Sequence, residues 1–313
     1  MIERTRTDNQ SSVREFFLMG FSDDHVTQCL HFVMFLLIYL AAMAGNLLII
    51  IVVILNHQLH TPMYFFLLNL SLTDICYITA TVPKSMAVSL TDNKIITFPG
   101  CIAQVFLVIT SACSESFLLT IMAYDRYIAI CHPLQYSLML NWDVCNQMTV
   151  TSWVSSLLYS LLQTVITFQL NFCGPNIIGQ FFCDIPQLQK ISCTDIKVHQ
   201  ILIWIFALIV GSFCVGCIFS SYGYIISDVL KIPSLEGRYK AFSTCSPHLT
   251  VFSLFMTTAF FSYLRPKSLS FPIIDLLSAV AYTVLPPILN PIIYCLRNKD
   301  IQAAVWKIIS KIK

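Results

Sequence analysis

The stretch "LTIMAYDRYIAICHPLQY", Leu119 to Tyr136, sets Asp125 and Arg126 side by side inside an otherwise apolar run. A membrane interior excludes charge, and a soluble helix this apolar would be buried in a core. Two readings compete: a buried structural ion pair, or a switch at the water boundary of a membrane helix. Where the pair stands along its helix decides between them.

Composition points to the membrane. The chain has 313 residues, 57% of them hydrophobic and only 11% charged, with a mean hydropathy of +0.75. Soluble domains carry roughly 25% charge, so this chain could not cover a soluble surface. A net charge of +2 leaves no basic footprint for nucleic acid. The first 25 residues are polar and lack the short apolar core of a secretory signal, so the first apolar run itself is expected to act as the membrane signal.

Roughly 20 apolar residues cross a bilayer core. Seven stretches qualify: Cys29–Leu55, Met63–Leu90, Ile102–Cys131, Val144–Phe168, Val198–Leu230, Ala241–Leu264 and Ile273–Leu296. The breaks between them, such as "NHQLHTP", "TDNKIITFPG" and "KIPSLEGR", have turn or polar character. An odd number of spans puts the two termini on opposite sides. The reading is an all-α membrane protein: residues 1–28 outside, a seven-helix bundle over 29–296, and a cytoplasmic tail over 297–313. Lys and Arg are too evenly shared between the two sides to orient it. The acceptor triplet "NQS" at Asn9 would be glycosylated only with the N-terminus outside. Cys101, Cys173, Cys183 and Cys193 lie at span edges or in the long fourth break, which suits an oxidising outer face. Four cysteines allow three pairings, and spacing does not choose among them.

From Cys101 to Arg126 a helix rises roughly 38 Å. With Cys101 at the outer surface, Arg126 reaches the inner one, so the pair sits at the helix mouth and not in mid-membrane. The segment "MAYDRYIAICHPLQY" resembles the inner end of the third helix of olfactory receptors, a branch of the rhodopsin-like G-protein-coupled receptors. "GN" at Gly45–Asn46, "LHTPMYFFLLNLSLTD" at Leu59–Asp74, "SY" at Ser221–Tyr222, "KAFSTCSPHL" at Lys240–Leu249 and "PPILNPIIYCLRN" at Pro286–Asn298 carry the same resemblance in the same order. It implies that Asp125 restrains Arg126 in the resting state, and that Arg126 and Tyr127 receive a G protein when the inner ends part. It implies switch roles for Tyr222, Asn290, Pro291 and Tyr294, and the pairings Cys101–Cys183 and Cys173–Cys193.

Two acids stand near mid-bilayer, Asp74 in the second span and Glu115 in the third. Close carboxylates repel unless one is protonated or a cation lies between them. Asn46 and Asn290 can add amide oxygens, and the resemblance makes Asp74 a sodium-site acid. A polar cluster that only packs helices is the alternative. The prolines of "PPILNPIIY" free helix carbonyls, for which Asn290 is the expected partner. Past Arg297, Ile301, Val305, Ile308, Ile309 and Ile312 share one helical face while Lys307 and Lys311 take the other, the pattern of an interfacial amphipathic helix.

The outer half of the third span holds no charge, which disfavours amine ligands, and the seventh holds no lysine, which disfavours retinal. Val108, Ile109, Ala112 and Cys113 follow helical spacing on one face, as do Met256, Ala259, Phe260 and Tyr263. By resemblance Phe206 and Thr283 complete a pocket for a small, volatile, mostly apolar odorant. Two departures from the family pattern stand out: Met256, where many such receptors carry tyrosine, and Pro247, inside the sixth helix. No phosphate-binding glycine loop, H-E-x-x-H or G-x-S-x-G motif marks an enzyme. The expected partners are an odorant, a stimulatory olfactory-type G protein and the bilayer, with no cofactor beyond a sodium ion. A transporter, or a family member that senses a metabolite, is the rival reading.

Overall fold

The computed structural model describes residues 14–20, 24–173, 175–194, 196–263 and 271–312. Asn9 lies outside the described residues, as do the side chains of Tyr263, Ile308, Ile309, Lys311 and Ile312.

The seven spans are helices. They are α1 (His25–Leu55), α2 (Pro62–Thr91), α3 (Phe98–Cys131), α5 (Trp142–Phe168), α7 (Lys197–Lys231), α8 (Leu235–Tyr263) and α9 (Pro272–Arg297). Two short helices, α4 (Tyr136–Met139) and α6 (Ile185–Lys190), lie between spans, and α10 (Lys299–Ile312) follows the last. α1, α2, α3, α7 and α9 are apolar enough to cross a membrane on length and composition alone. α5 and α8 have the length, with 27 and 29 residues. Each dilutes its apolar run with Ser, Thr and Gln or Lys.

Local chemistry sets the ends. The Asp24 carboxylate accepts from the Thr27 amide at 2.9 Å to start α1, and Asn141 does the same for Val144 at 2.9 Å to start α5. Pro62 and Pro99 occupy first-turn positions of α2 and α3, where a missing N–H costs nothing. Asp92 closes α2 in the left-handed region at φ 52°.

α3 is the axis of the bundle, packed against α2, α5, α7 and α8, while α9 packs on α1, α2 and α8. Its 34 residues rise about 50 Å, more than a bilayer core of about 30 Å, so both ends project into the boundary regions. Leucine, isoleucine and valine remain exposed along α1, α5 and α7, the belt that lipid would cover.

One end of the bundle carries the disulfides Cys101–Cys183 and Cys173–Cys193, with Cα separations of 5.6 and 5.8 Å. It also carries a small sheet. β1 (Glu15–Leu18) runs antiparallel to β2 (Ile95–Thr97) and parallel to β3 (Ile177–Ile178). The opening stretch, read as polar from its sequence, therefore also contributes apolar side chains to the fold. Phe16 and Leu18 are fully buried, and the Phe16 ring stacks on Phe98 at 5.9 Å and meets Phe172 edge-on at 5.4 Å.

At the opposite end α10 turns off α9. The Asn298 Oδ1 accepts from the amides of Asp300 and Ile301. The Tyr64 hydroxyl, with one proton to give, lies 3.1 Å from that same oxygen and 2.9 Å from Asp300 Oδ2. Ile301 and Ala304 are buried and Trp306 is exposed, so α10 is two-faced as its sequence predicts.

Candidate functional site

Three groups of side chains occupy the bundle, stacked from the Arg126 end to the disulfide end. At the Arg126 end, Asp125 and Arg126 are 1% and 8% exposed. Their ion pair is loose, with Arg126 Nε 4.0 Å from Asp125 Oδ2. The tighter partner of Asp125 is Tyr136 on α4, whose hydroxyl donates at 2.6 Å. Burial and the adjoining carboxylate push the Tyr136 hydroxyl well above its ordinary pKa, so it stays protonated and keeps donating. Tyr136 closes the very stretch that decided the fold, and its role needed only the turn at Pro133 that folds it back. Tyr127 turns away from Arg126, its ring 5.5 Å from Tyr224 and its hydroxyl 3.0 Å from His132 Nε2.

His248 was not singled out by sequence, and it joins three helices. It is 1% exposed. Its Nε2 lies 2.9 Å from the Leu119 carbonyl on α3, and its Nδ1 lies 2.7 Å from the Tyr222 hydroxyl on α7. A carbonyl only accepts, so Nε2 carries a proton; in the neutral ring Nδ1 then accepts from the Tyr222 hydroxyl. Pro247 precedes it, within a helix that stays continuous from Leu235 to Tyr263.

The middle group is the acid pair. The Asn290 Nδ2 lies 3.2 and 3.0 Å from the two Asp74 oxygens and 3.3 Å from Glu115 Oε1. All three residues are at most 2% exposed. The amide cannot fully satisfy two carboxylates. Glu115 Oε2, Asn290 Oδ1, Asn46 Oδ1, Ser114 Oγ and the Tyr294 hydroxyl have no hydrogen-bond partner among the described residues. Uncharged or charged oxygens of this kind are the donors a hard monovalent cation takes.

Asn290 is thus engaged with the acids, and the expectation that it serves the carbonyls freed by proline is corrected. That task falls to Asn46. Pro291 has no N–H, which strips the Pro287 carbonyl four residues earlier of its helix bond. The Asn46 Nδ2 donates to that carbonyl at 2.8 Å. Gly45 makes the approach feasible, because a Cβ there would stand 3.0 Å from the Pro291 ring.

The third group lies under the disulfides. Val108 is buried against Phe181, Phe182, Tyr77, Ala279 and Tyr282. Two of these belong to the segment before Cys183, so that segment enters the bundle and forms part of its floor. Sequence reasoning missed Phe181 and Phe182, although the Cys101–Cys183 bond was the signal that would draw them in. Gln104 fixes the same segment, accepting from the Cys183 amide at 2.7 Å and donating to the Ala80 carbonyl at 2.8 Å. Cys113 and Thr283 are buried, and Ile109, Ala112, Phe206, Met256 and Ala259 are half-buried. The Thr283 hydroxyl donates to its own helix at Ala279, 2.7 Å away. Phe260 is 61% exposed and points away from the bundle, so its place in the expected pocket is corrected. Spacing alone had grouped it with Met256 and Ala259, and the rotation of α8 in the bundle turns it outward.

A fold of this kind is that of the rhodopsin-like seven-helix receptors. The crystal structure of squid rhodopsin matches with a TM-score of 0.69 over 92% of this chain and 87% of that one, at 16% sequence identity. The sequence pattern of the olfactory receptor family matches residues 35–312. Olfactory receptor 14I1 of Homo sapiens is 50% identical over 307 residues, spanning 97% of this chain and 98% of that protein. Olfactory receptor 14A16 of Homo sapiens is 48% identical over 301 residues, 96% of this chain and 97% of that one. Olfactory receptor 1G1 of Gorilla gorilla gorilla is 46% identical over 301 residues, 96% of each. The chain belongs to the olfactory receptor family. It is a multi-pass membrane receptor of the G-protein-coupled class and not an enzyme.

Proposed function

We propose that this chain is an odorant receptor that binds small, volatile, mostly apolar molecules and activates a stimulatory olfactory-type G protein, raising cyclic AMP. The N-terminus with Asn9 faces outward, where that site is glycosylated, and α10 lies on the inner leaflet. The observation that carries the reading is the layered core: an apolar ligand floor, an acid pair below it, and a charge pair closed at the far end by Tyr136. Ligand contact shifts the population of bundle states. The inner ends part, and Arg126 leaves a 4.0 Å pairing that is already loose. Leu134 and Leu138 support protein docking at this end, since they are 94% and 76% exposed beside the Asp125–Arg126 pair.

Sodium at Asp74 and Glu115 belongs to the same reading. Asp74, Glu115 and the oxygens of Asn290, Asn46 and Ser114 would hold it, and it would supply positive charge to two facing carboxylates. Asn290 sits on α9 and ties the acids of α2 and α3 to the helix kinked by Pro291. An apolar floor with few polar groups favours odorant sensing over transport, because a transported solute needs a continuous polar path.

The test is cyclic AMP in cells that express the chain with an olfactory-type G protein, screened against a diverse odorant panel. A response that Arg126→Ala abolishes, with surface expression retained, is expected. Signalling that survives the substitution would sink the switch role of Arg126.

A further inference from the structure

The half of α5 nearest the disulfides carries polar atoms that the fold leaves unmet. Gln163 is 1% exposed, and neither its Oε1 nor its Nε2 has a hydrogen-bond partner among the described residues. The Tyr159 hydroxyl is the polar group that neighbours it on the same helix. Thr164, 5% exposed, leaves its Oγ1 unmet as well. Thr149 and Ser152, nearer the other end of α5, also leave hydroxyls unmet, but Gln163 alone on this helix leaves both a donor and an acceptor without a partner among the described residues. On the same helix Ser156 and Thr167 each donate at 2.8 Å to the carbonyl four residues earlier. Ser160 reaches across to the Phe106 carbonyl of α3.

That last bond gives the direction. Ser156, Ser160 and Gln163 follow the spacing of one helical face, so Gln163 lies one turn beyond Ser160 on the face turned toward α3. On the flank of this wall runs α7, in which no described residue from Lys197 to Phe213 is buried. Gln163 therefore faces the stretch of α3 beside Phe106, next to the expected lining residues Val108 and Ile109, and a buried amide gains most when a ligand completes it.

We infer that Gln163, assisted by Thr164, is the polar anchor of the ligand site, and that it selects small apolar molecules carrying one carbonyl or one hydroxyl. The inference rests on the odorant-receptor reading. The Gln163 Nε2 donates to a ligand carbonyl, and its Oε1 accepts from a ligand hydroxyl. An alkane of matched length leaves both atoms unpaired, so the site discriminates by functional group where its apolar walls discriminate only by shape.

The experiment uses purified full-length receptor and Gln163→Leu, probed with matched alkanes, aldehydes and alcohols from hexyl to decyl. Without odorant, the variant is expected to melt at or above the wild-type temperature, since an unmet buried amide has been removed. With odorant, wild type is expected to be stabilised by aldehydes and alcohols well beyond alkanes. The variant should lose about tenfold in apparent affinity for both oxygenated series and rank all three alike. A lower melting temperature in the variant would show that the fold already satisfies the amide, and would overturn the inference. So would a variant that keeps the oxygen preference, or a wild type that shows none. Melting needs no G protein. An oxygen preference that appears in melting without any cyclic AMP response would count against the signalling reading and not against Gln163.

Discussion

Gly45, Asn46 and Pro291 form a unit that no one of them explains alone. Proline removes a donor, the glycine lets α1 come close, and the asparagine restores the bond at 2.8 Å. Asn46→Leu keeps the volume but orphans the Pro287 carbonyl, and should destabilise the receptor by about 1–3 kcal/mol. Gly45→Leu drives a side chain against the Pro291 ring and should cost at least as much, about 1–3 kcal/mol from overpacking. Thermal melting and surface abundance check both; an unchanged melting temperature in either variant would remove this account of the motif. His248 makes a different prediction. His248→Phe keeps an aromatic body but breaks the bonds to Leu119 and Tyr222, so the resting bundle loses a tie between α3, α7 and α8. Basal cyclic AMP should rise relative to surface expression, and a basal level at or below wild type would contradict it. The two motifs were legible as motifs, yet their partners were not. Sequence places Asn46 and Asn290 on helices; which amide meets the carbonyl and which meets the acids depends on helix rotation, which only packing fixes.

At the scale of elements, the long helices were read well because a bilayer makes hydrophobic length a strong signal. α2 was expected from Met63 to Leu90 and runs Pro62–Thr91. β1 was invisible for the opposite reason. Its four residues, "EFFL", show no sustained alternation, and a strand that short is stable only when other segments meet it. Two disulfide-tied segments do so, and the aromatic contacts of Phe16 hold it. Phe16→Ala should loosen this cover by on the order of 3 kcal/mol. Hydrogen exchange at the amides of residues 15–18 and 95–97 should speed up, while the exchange of α3 stays slow. Unchanged protection in the sheet would mean that Phe16 does not hold it.

Over the whole molecule, the acid pair links α2, α3 and α9 near mid-bilayer, and the charge pair lies at the far mouth. Coupling between them predicts an effect of salt type. Sodium chloride should weaken agonist potency more than choline chloride at equal ionic strength, and Asp74→Asn should erase the difference. A sodium effect that survives Asp74→Asn would remove the cation from the account. The fold was readable at this scale because seven apolar runs leave few alternatives. The apolar cluster under the disulfides was only partly readable, since Phe181 and Phe182 enter from a connecting segment with no helical period to betray them. The central claim is that agonist parts the Arg126 end of the bundle. The most direct test is the distance between non-cysteine labels at exposed Leu138 on α4 and exposed Tyr239 on α8, read with and without agonist and G protein. The account predicts that the distance lengthens by several ångströms on activation, and that Arg126→Ala blocks nucleotide exchange. A distance that stays fixed while exchange proceeds would contradict it.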